Sequence, residues 1–298
     1  MGIVLGDNRY GKSETRLVRV VRDTERHEIR DLTVSSSLRG DFAAAHTAGD
    51  QANVLPTDTQ KNTVYAFAKE RGVGTPEEFS RIMARHFVDD VEPVTSAQVR
   101  VDEDRWDRAT VDGRPHDHTF VRSGAETRTA VVTAYDGGEH VLSGLTGLVL
   151  LKSTGSEFHD FLVDDYTTLA PTDDRVLATS LTARWRWRSD PSEGFDPAYD
   201  EVRALLVSEF GSRHSLALQQ SLWEMGRRVL EARTDIAEIR LSAPNKHHYL
   251  VDLSPFGLDN PGEVFNAGDR PYGLIEVVVE RDDASPVPDA WRDLPGFV

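Results

Sequence analysis

The sequence predicts an α+β fold, two tandem ββααββ units whose antiparallel sheets carry their helices on one face. Three observations lead there. The same order of element patterns occurs twice along the chain. A turn-rich break, Asp136-Gly137-Gly138-Glu139, separates the two occurrences. The length, 298 residues, suits two domains of ~150 residues, each with a real core.

In the first half, residues 15–22 and 27–39 read as strands, rich in Val, Leu and Thr. Residues 63–69 carry Val64 and Phe67 at helical spacing. Residues 76–88 carry Phe79, Ile82, Met83 and Phe87 in the same way. Residues 97–101 and 127–135 close the half as strands. The second half repeats this with strands at 141–151 and 176–187 and helices at 199–210 and 217–232. The second of those helices aligns Leu218, Leu222, Met225 and Val229 on one face. Residues 236–241 with 249–252, then 273–280, supply the closing strands. The expected division is 1–137, 138–281 and a tail, 282–298, rich in Pro and Asp around Trp291. Four strands per half leave open edges, and joining sheets from both halves and from a second subunit into a barrel would remove them.

Composition narrows the chemistry. There is no cysteine, which excludes disulfides, Fe–S clusters and thiolate zinc sites. The charge of −16 argues against nucleic acid or an anionic membrane as partner. An anionic substrate would need local positive charge, which can override the global field because screening acts over roughly 8 Å at physiological salt. Lys12, Arg175 and His247 are the candidates. No run approaches the ~20 apolar residues of a membrane helix. The N-terminus lacks a signal-peptide pattern, and Gly296-Phe297-Val298 is not a peroxisomal address, so the cytoplasm is expected.

The densest chemistry is Pro244-Asn245-Lys246-His247-His248, an amide, an ammonium and two imidazoles after the alternating Ile239-Arg240-Leu241-Ser242. On an extended strand His247 and His248 face opposite ways, with Asn245 on the side of His247 unless Pro244 or a bulge shifts the phase. Thr57-Asp58 precede a helical pattern. They read first as helix caps, and second as part of an anion site at the helix start. Lys12 reads as a solvated lysine or as a desolvated base. Arg175 reads as half of a surface salt bridge with a nearby Asp or as a planar fork for an anion. Gln219 is helix surface or a paired donor and acceptor; Phe158 is core or a stacking lid.

Three further patterns have the look of sites. His116-Asp117-His118 puts two imidazoles on one strand face, without an evident third metal ligand. Arg184-Trp185-Arg186-Trp187-Arg188 reads as one Trp face and one Arg face of a strand. Gly72-Val73-Gly74 lacks the third glycine of a dinucleotide loop.

Tyr10-Gly11-Lys12, then Thr57-Asp58-Thr59-Gln60-Lys61-Asn62-Thr63, then the Pro244–His248 run occur in the order seen in urate oxidases (uricases), and the chain resembles that family from about residue 4 to 281. The resemblance implies the tunnelling fold, in which dimers form a barrel and two dimers stack as a homotetramer with active sites at subunit interfaces. It implies oxidation of urate by O₂ and water to 5-hydroxyisourate and hydrogen peroxide in purine catabolism, with no cofactor and no metal. It assigns Lys12, Thr57 and His247 to a proton relay, with Thr57 and Asp58 presented to the active site of the adjacent subunit. Arg175 and Gln219 would grip the urate edge, Phe158 would stack on its face, and Leu218 would add backbone and apolar contact. Asn245 would hold O₂ or water, and His248 would be structural. Leu218 (where valine is usual), Ala243 before the Pro-Asn-Lys-His run and the acidic tail depart from the family pattern. Two rivals are a hydrolytic or aldol enzyme of the same fold, separable by oxygen consumption, and a non-catalytic purine sensor, against which the presence of Lys12, Thr57, Asn245 and His247 counts.

Overall fold

The computed structural model describes residues 2–268, 270–292 and Leu294. It divides into two compact units. One takes in the chain up to Gly144 together with Val287–Arg292, and the other is Leu145–Pro286.

The first unit holds β1 (Tyr10–Val21), β2 (Glu28–Gly40), α1 (Ala43–Ala48), α2 (Thr57–Glu70), α3 (Pro76–Asp89), β3 (Val94–Asp104), β4 (Trp106–Val111), β5 (Arg114–Arg122) and β6 (Thr127–Tyr135). β7 (Gly138–Lys152) carries the chain onward. The sheet order is β1-β2-β3-β6, antiparallel throughout. α3 starts where its sequence says it should. The Thr75 hydroxyl accepts from the Glu78 amide, the Glu78 carboxylate accepts from the Thr75 amide at 2.8 Å, and Pro76 opens the helix. Its buried face, Phe79, Met83 and Phe87, covers Val99 and Val101 of β3 and Ala130 and Val132 of β6. The same helix buries Glu77, whose carboxylate accepts from Arg128 Nη2 at 2.7 Å and from Ser143 Oγ at 2.5 Å.

The second unit holds β8 (Leu177–Trp187), α4 (Phe195–Ser212), α5 (Leu218–Ala232), β9 (Ile236–Lys246), β10 (His248–Leu250), β11 (Phe265–Ala267) and β12 (Gly273–Glu280). β8, β9 and β12 pair antiparallel in that order, and β10 and β11 form a separate ribbon. Leu222, Met225 and Val229 of α5 are buried over β9 and β12.

Several elements differ from expectation. β1 begins at Tyr10, because residues 10–12 pair with Ser36, Ser37 and Leu38 before the register slips. α2 begins at Thr57. β4 and β5 form a hairpin around Asp112-Gly113 that adds two strands to the expected order of elements. In β8 the Arg face is buried as well as the Trp face. Arg184 and Arg186 are buried beside Trp185 and Trp187, and Arg186 meets Glu238 at 3.4 Å and the Ser285 carbonyl at 3.1 Å. The tail is docked as far as Arg292. A short helix, α6 (Pro288–Trp291), buries Ala290 and Trp291, and Gln98 Nε2 donates to the Arg292 carbonyl at 3.1 Å. Gly296, Phe297 and Val298 lie outside the described residues.

Among the described residues β1 pairs only with β2 and β12 only with β9, leaving each an open edge. Val18 and Val20 on β1, and Leu274 and Val278 on β12, are exposed. No described helix is long and apolar enough to cross a membrane.

Candidate active site

Lys12, Thr57 and Asp58 belong to the first unit. Lys12 lies within β1, not ahead of it. Gly11 is required there. A Cβ at this position would stand 1.8 Å from the Ser36 carbonyl oxygen. Past Lys12 the pairing is irregular up to Thr15, with Glu14 at φ 57°. The start of β1 is tied to the start of α2 twice. Tyr10 Oη donates to the Leu55 carbonyl at 3.1 Å. Ser36 Oγ, which faces the Lys12 amide at 3.4 Å, donates to the buried Gln60 Oε1 at 2.7 Å.

The capping reading of Thr57-Asp58 does not hold. Pro56 takes the cap position, without a side chain to offer, and Thr57 and Asp58 are the first two helical residues. The Asp58 carboxylate instead accepts from Lys61 Nζ at 2.5 Å and Asn62 Nδ2 at 3.0 Å. Lys61 above all, then Asn62 and Lys12, holds its carboxyl below the usual range. The Thr57 hydroxyl and the Lys12 ammonium make no hydrogen bond or ion pair among the described residues.

Phe158, Arg175, Leu218, Gln219, Asn245 and His247 belong to the second unit. The Phe158 backbone pairs with Thr172 (2.8 and 3.0 Å), and the Arg175 amide donates to the Ser156 carbonyl at 2.8 Å. Those bonds bring the Arg175 guanidinium 5.1 Å from the centre of the Phe158 ring, which also stacks on Phe161 at 5.0 Å. The salt-bridge reading of Arg175 fails for a visible reason. Asp174 spends its carboxylate on Thr154 Oγ1 at 2.7 Å and the Gly155 amide at 2.9 Å. Among the described residues the Arg175 guanidinium hydrogen-bonds only to Ser156 Oγ, 3.3 Å from its Nε, and burial lowers its pKa from the ordinary arginine value.

His247 occupies the one-residue joint between β9 and β10, so strand alternation does not govern its side chain. Burial first, then Arg175 and His248, hold its pKa below the ordinary histidine value. The imidazole is therefore neutral near pH 7. His248 turns its Nδ1 to the Lys246 carbonyl, 3.2 Å away. Asn245, next to last in β9, pairs with Thr179 of β8 and Gly273 of β12. Leu218 and Gln219 open α5, the leucine buried and the glutamine exposed. The side-chain amides of Asn245 and Gln219 are unpartnered among the described residues.

Sequence reasoning missed Glu157. Its carboxylate accepts from His214 Nε2 at 2.8 Å and meets His159 Nε2 at 3.1 Å. It thereby joins the Phe158 segment to the residues that lead into α5. Nothing in the local sequence marks a contact 57 residues apart. His116 and His118 do meet, ring centres 4.5 Å apart. No group of three or more His, Cys, Asp or Glu among the described residues is placed to hold a metal ion.

The family model named Uricase matches residues 8–133 and 141–276. A uricase of Arthrobacter globiformis is 52% identical over 295 residues, covering 99% of this chain and 96% of that protein. A uricase of Aspergillus flavus is 35% identical over 288 residues, covering 92% and 95%. The crystal structure of the Arthrobacter globiformis uricase superposes with a TM-score of 0.94, covering 98% of this chain and 100% of that one. The urate oxidase of Bacillus sp. TB-90, at 24% identity and a TM-score of 0.82 over 92% of this chain and all of that one, shares the fold. The chain belongs to the uricase family, and it is an oxidoreductase acting on urate.

Proposed function

We propose that the chain carries out cofactor-free oxidation: urate, O₂ and water give 5-hydroxyisourate and hydrogen peroxide. The observation that carries this reading is Arg175, a half-buried cation without a carboxylate partner among the described residues, beside an aromatic plate and a neutral imidazole, in a chain of charge −16. Such a set suits a flat anion. Arg175 and the free amide of Gln219 grip the edge of the heterocycle, Leu218 adds apolar contact, and Phe158 stacks on its face.

O₂ does not react directly with a closed-shell organic molecule, so the task is to make and hold an electron-rich urate dianion that first passes on one electron. Lys12, Thr57 and His247 form the proton relay. Fixed donors from Arg175, Gln219 and the Asp58 amide stabilise the charge, and Asn245 positions O₂ and then water. Thr57 and Asp58 are presented to the site of an adjacent subunit. The open edges of β1 and β12 favour assembly, with the two ββααββ repeats of each chain joining a partner's in a barrel and two such dimers stacking as a homotetramer.

The test is to follow urate absorbance, dissolved oxygen and peroxide together on chelator-treated protein. Matched loss of urate and oxygen with peroxide formed is expected. Urate binding without oxygen consumption would overturn the oxidase chemistry, and loss on chelation with rescue by metal would overturn its cofactor independence. Mixing an inactive Thr57→Ala subunit with an inactive His247→Ala subunit should restore part of the activity. No restoration would remove the shared site.

A further inference from the structure

A cleft of about 460 Å³ opens in the first unit between β1, the start of β2, the β4–β5 hairpin and the Gly72-Val73-Gly74 loop. It contains none of the residues assigned to urate. Its volume falls within the roughly 300–1,000 Å³ of small-molecule sites.

Three guanidiniums, of Arg19, Arg30 and Arg108, line it against one carboxylate, Glu28. Arg30 is matched by Glu103 at 2.6 Å. The other two are held by neutral carbonyls. Arg19 donates to Ala68 and, at 3.4 Å, to Lys69. Arg108 donates to His27 and, at 2.8 Å, to Asp117. Carbonyl oxygens fix a guanidinium without cancelling its charge, and neither arginine has a carboxylate partner among the described residues. Two oriented, uncompensated cations in so acidic a chain are a recognition element for an anion.

The wall is aromatic. Trp106 is 39% exposed, and its indole N–H is committed to Asp31 Oδ2 at 3.1 Å. The ring is thus held in place with only its face left to offer. Phe120 stands alongside, with the Arg108 guanidinium 5.2 Å from its centre. A rigid plate beside two fixed cations suits a ligand with a flat ring at one end and negative charge at the other.

We propose that this cleft binds a nucleoside monophosphate, its base stacked on Trp106 and its phosphate held by Arg19 and Arg108. The assembled protein would be titrated calorimetrically with guanosine monophosphate, with inorganic phosphate and with guanosine. Saturable binding of the monophosphate is expected, with the two fragments at least tenfold weaker. Trp106→Ala should weaken it about tenfold, the lower range for one base–aromatic stack, and Arg108→Gln should do at least as much. Arg108 also anchors the hairpin. Trp106→Ala, a change at an exposed ring, keeps the test decisive if Arg108→Gln fails to fold. Binding should survive Arg175→Ala, which keeps this site distinct from the urate site. The proposal is overturned by no saturable binding, by equal affinity in Trp106→Ala, by phosphate alone binding as tightly, or by loss of binding in Arg175→Ala.

Discussion

The Arg175 guanidinium stands 5.1 Å from the centre of the Phe158 ring, and backbone bonds to Ser156 and Thr172 hold the two residues there. Charge for the edge of a planar anion and an apolar surface for its face are thus aligned by the main chain. Little remains to be ordered when the ligand arrives, which lowers the cost of binding.

Arg175 also sets the protonation of a neighbour. The His247 pKa is lowered by burial, then by Arg175, then by His248. Removing the guanidinium charge removes the second cause, so Arg175→Gln should raise the His247 pKa toward its ordinary value. NMR titration of the His247 ring would measure this, and an unchanged or lower value would contradict it. The acid limb of any residual activity should move to higher pH in the same variant.

Lys12→Met should leave the fold intact and reduce kcat by about 10²–10⁴, the range for loss of one acid–base group. The comparison needs circular dichroism of the variant alongside its turnover. A variant with unchanged kcat would overturn the proposed place of Lys12 in a proton relay.

Glu157 joins His159 and His214 around Phe158. Glutamine keeps one acceptor oxygen and loses the charge. Ion pairs this open to solvent are weak, so Glu157→Gln should raise KM for urate about two- to fivefold and leave kcat unchanged. A fall in kcat at constant KM would show that Glu157 does something other than position the ring.

The buried pair Glu77–Arg128 predicts an asymmetry. Arg128→Met alone leaves a buried carboxylate unpaired and should cost about 3–5 kcal/mol. Arg128→Met with Glu77→Leu removes both charges and should recover much of that. Thermal unfolding midpoints of the two variants decide it, and equal losses would mean the pair's packing matters more than its charge.

How far the sequence revealed the molecule depended on the range of the interactions. α3 was legible because the spacing of Phe79, Ile82, Met83 and Phe87 acts within one helix. The start of α2 was not, since Thr57 and Asp58 favour the cap position and only Pro56's backbone shows that it is taken. β1 was read five residues short. Its first pairs depend on the fit of Gly11 against Ser36, which is invisible locally. Among the candidate residues, short motifs singled out Lys12, Thr57 and His247, while Glu157 and the Tyr10–Leu55 bond join residues far apart in the chain and left no local mark.

The open edges of β1 and β12 give the assay a mass-action dimension. If catalytic groups are completed only where those edges meet another copy, specific activity is a function of protein concentration. On serial dilution, rate per chain should hold constant and then fall toward zero as the subunits dissociate. Turnover numbers compared between variants would then be meaningful only on the plateau, and a substitution at exposed Val18 or Val278 could mimic a catalytic defect while leaving every catalytic group in place.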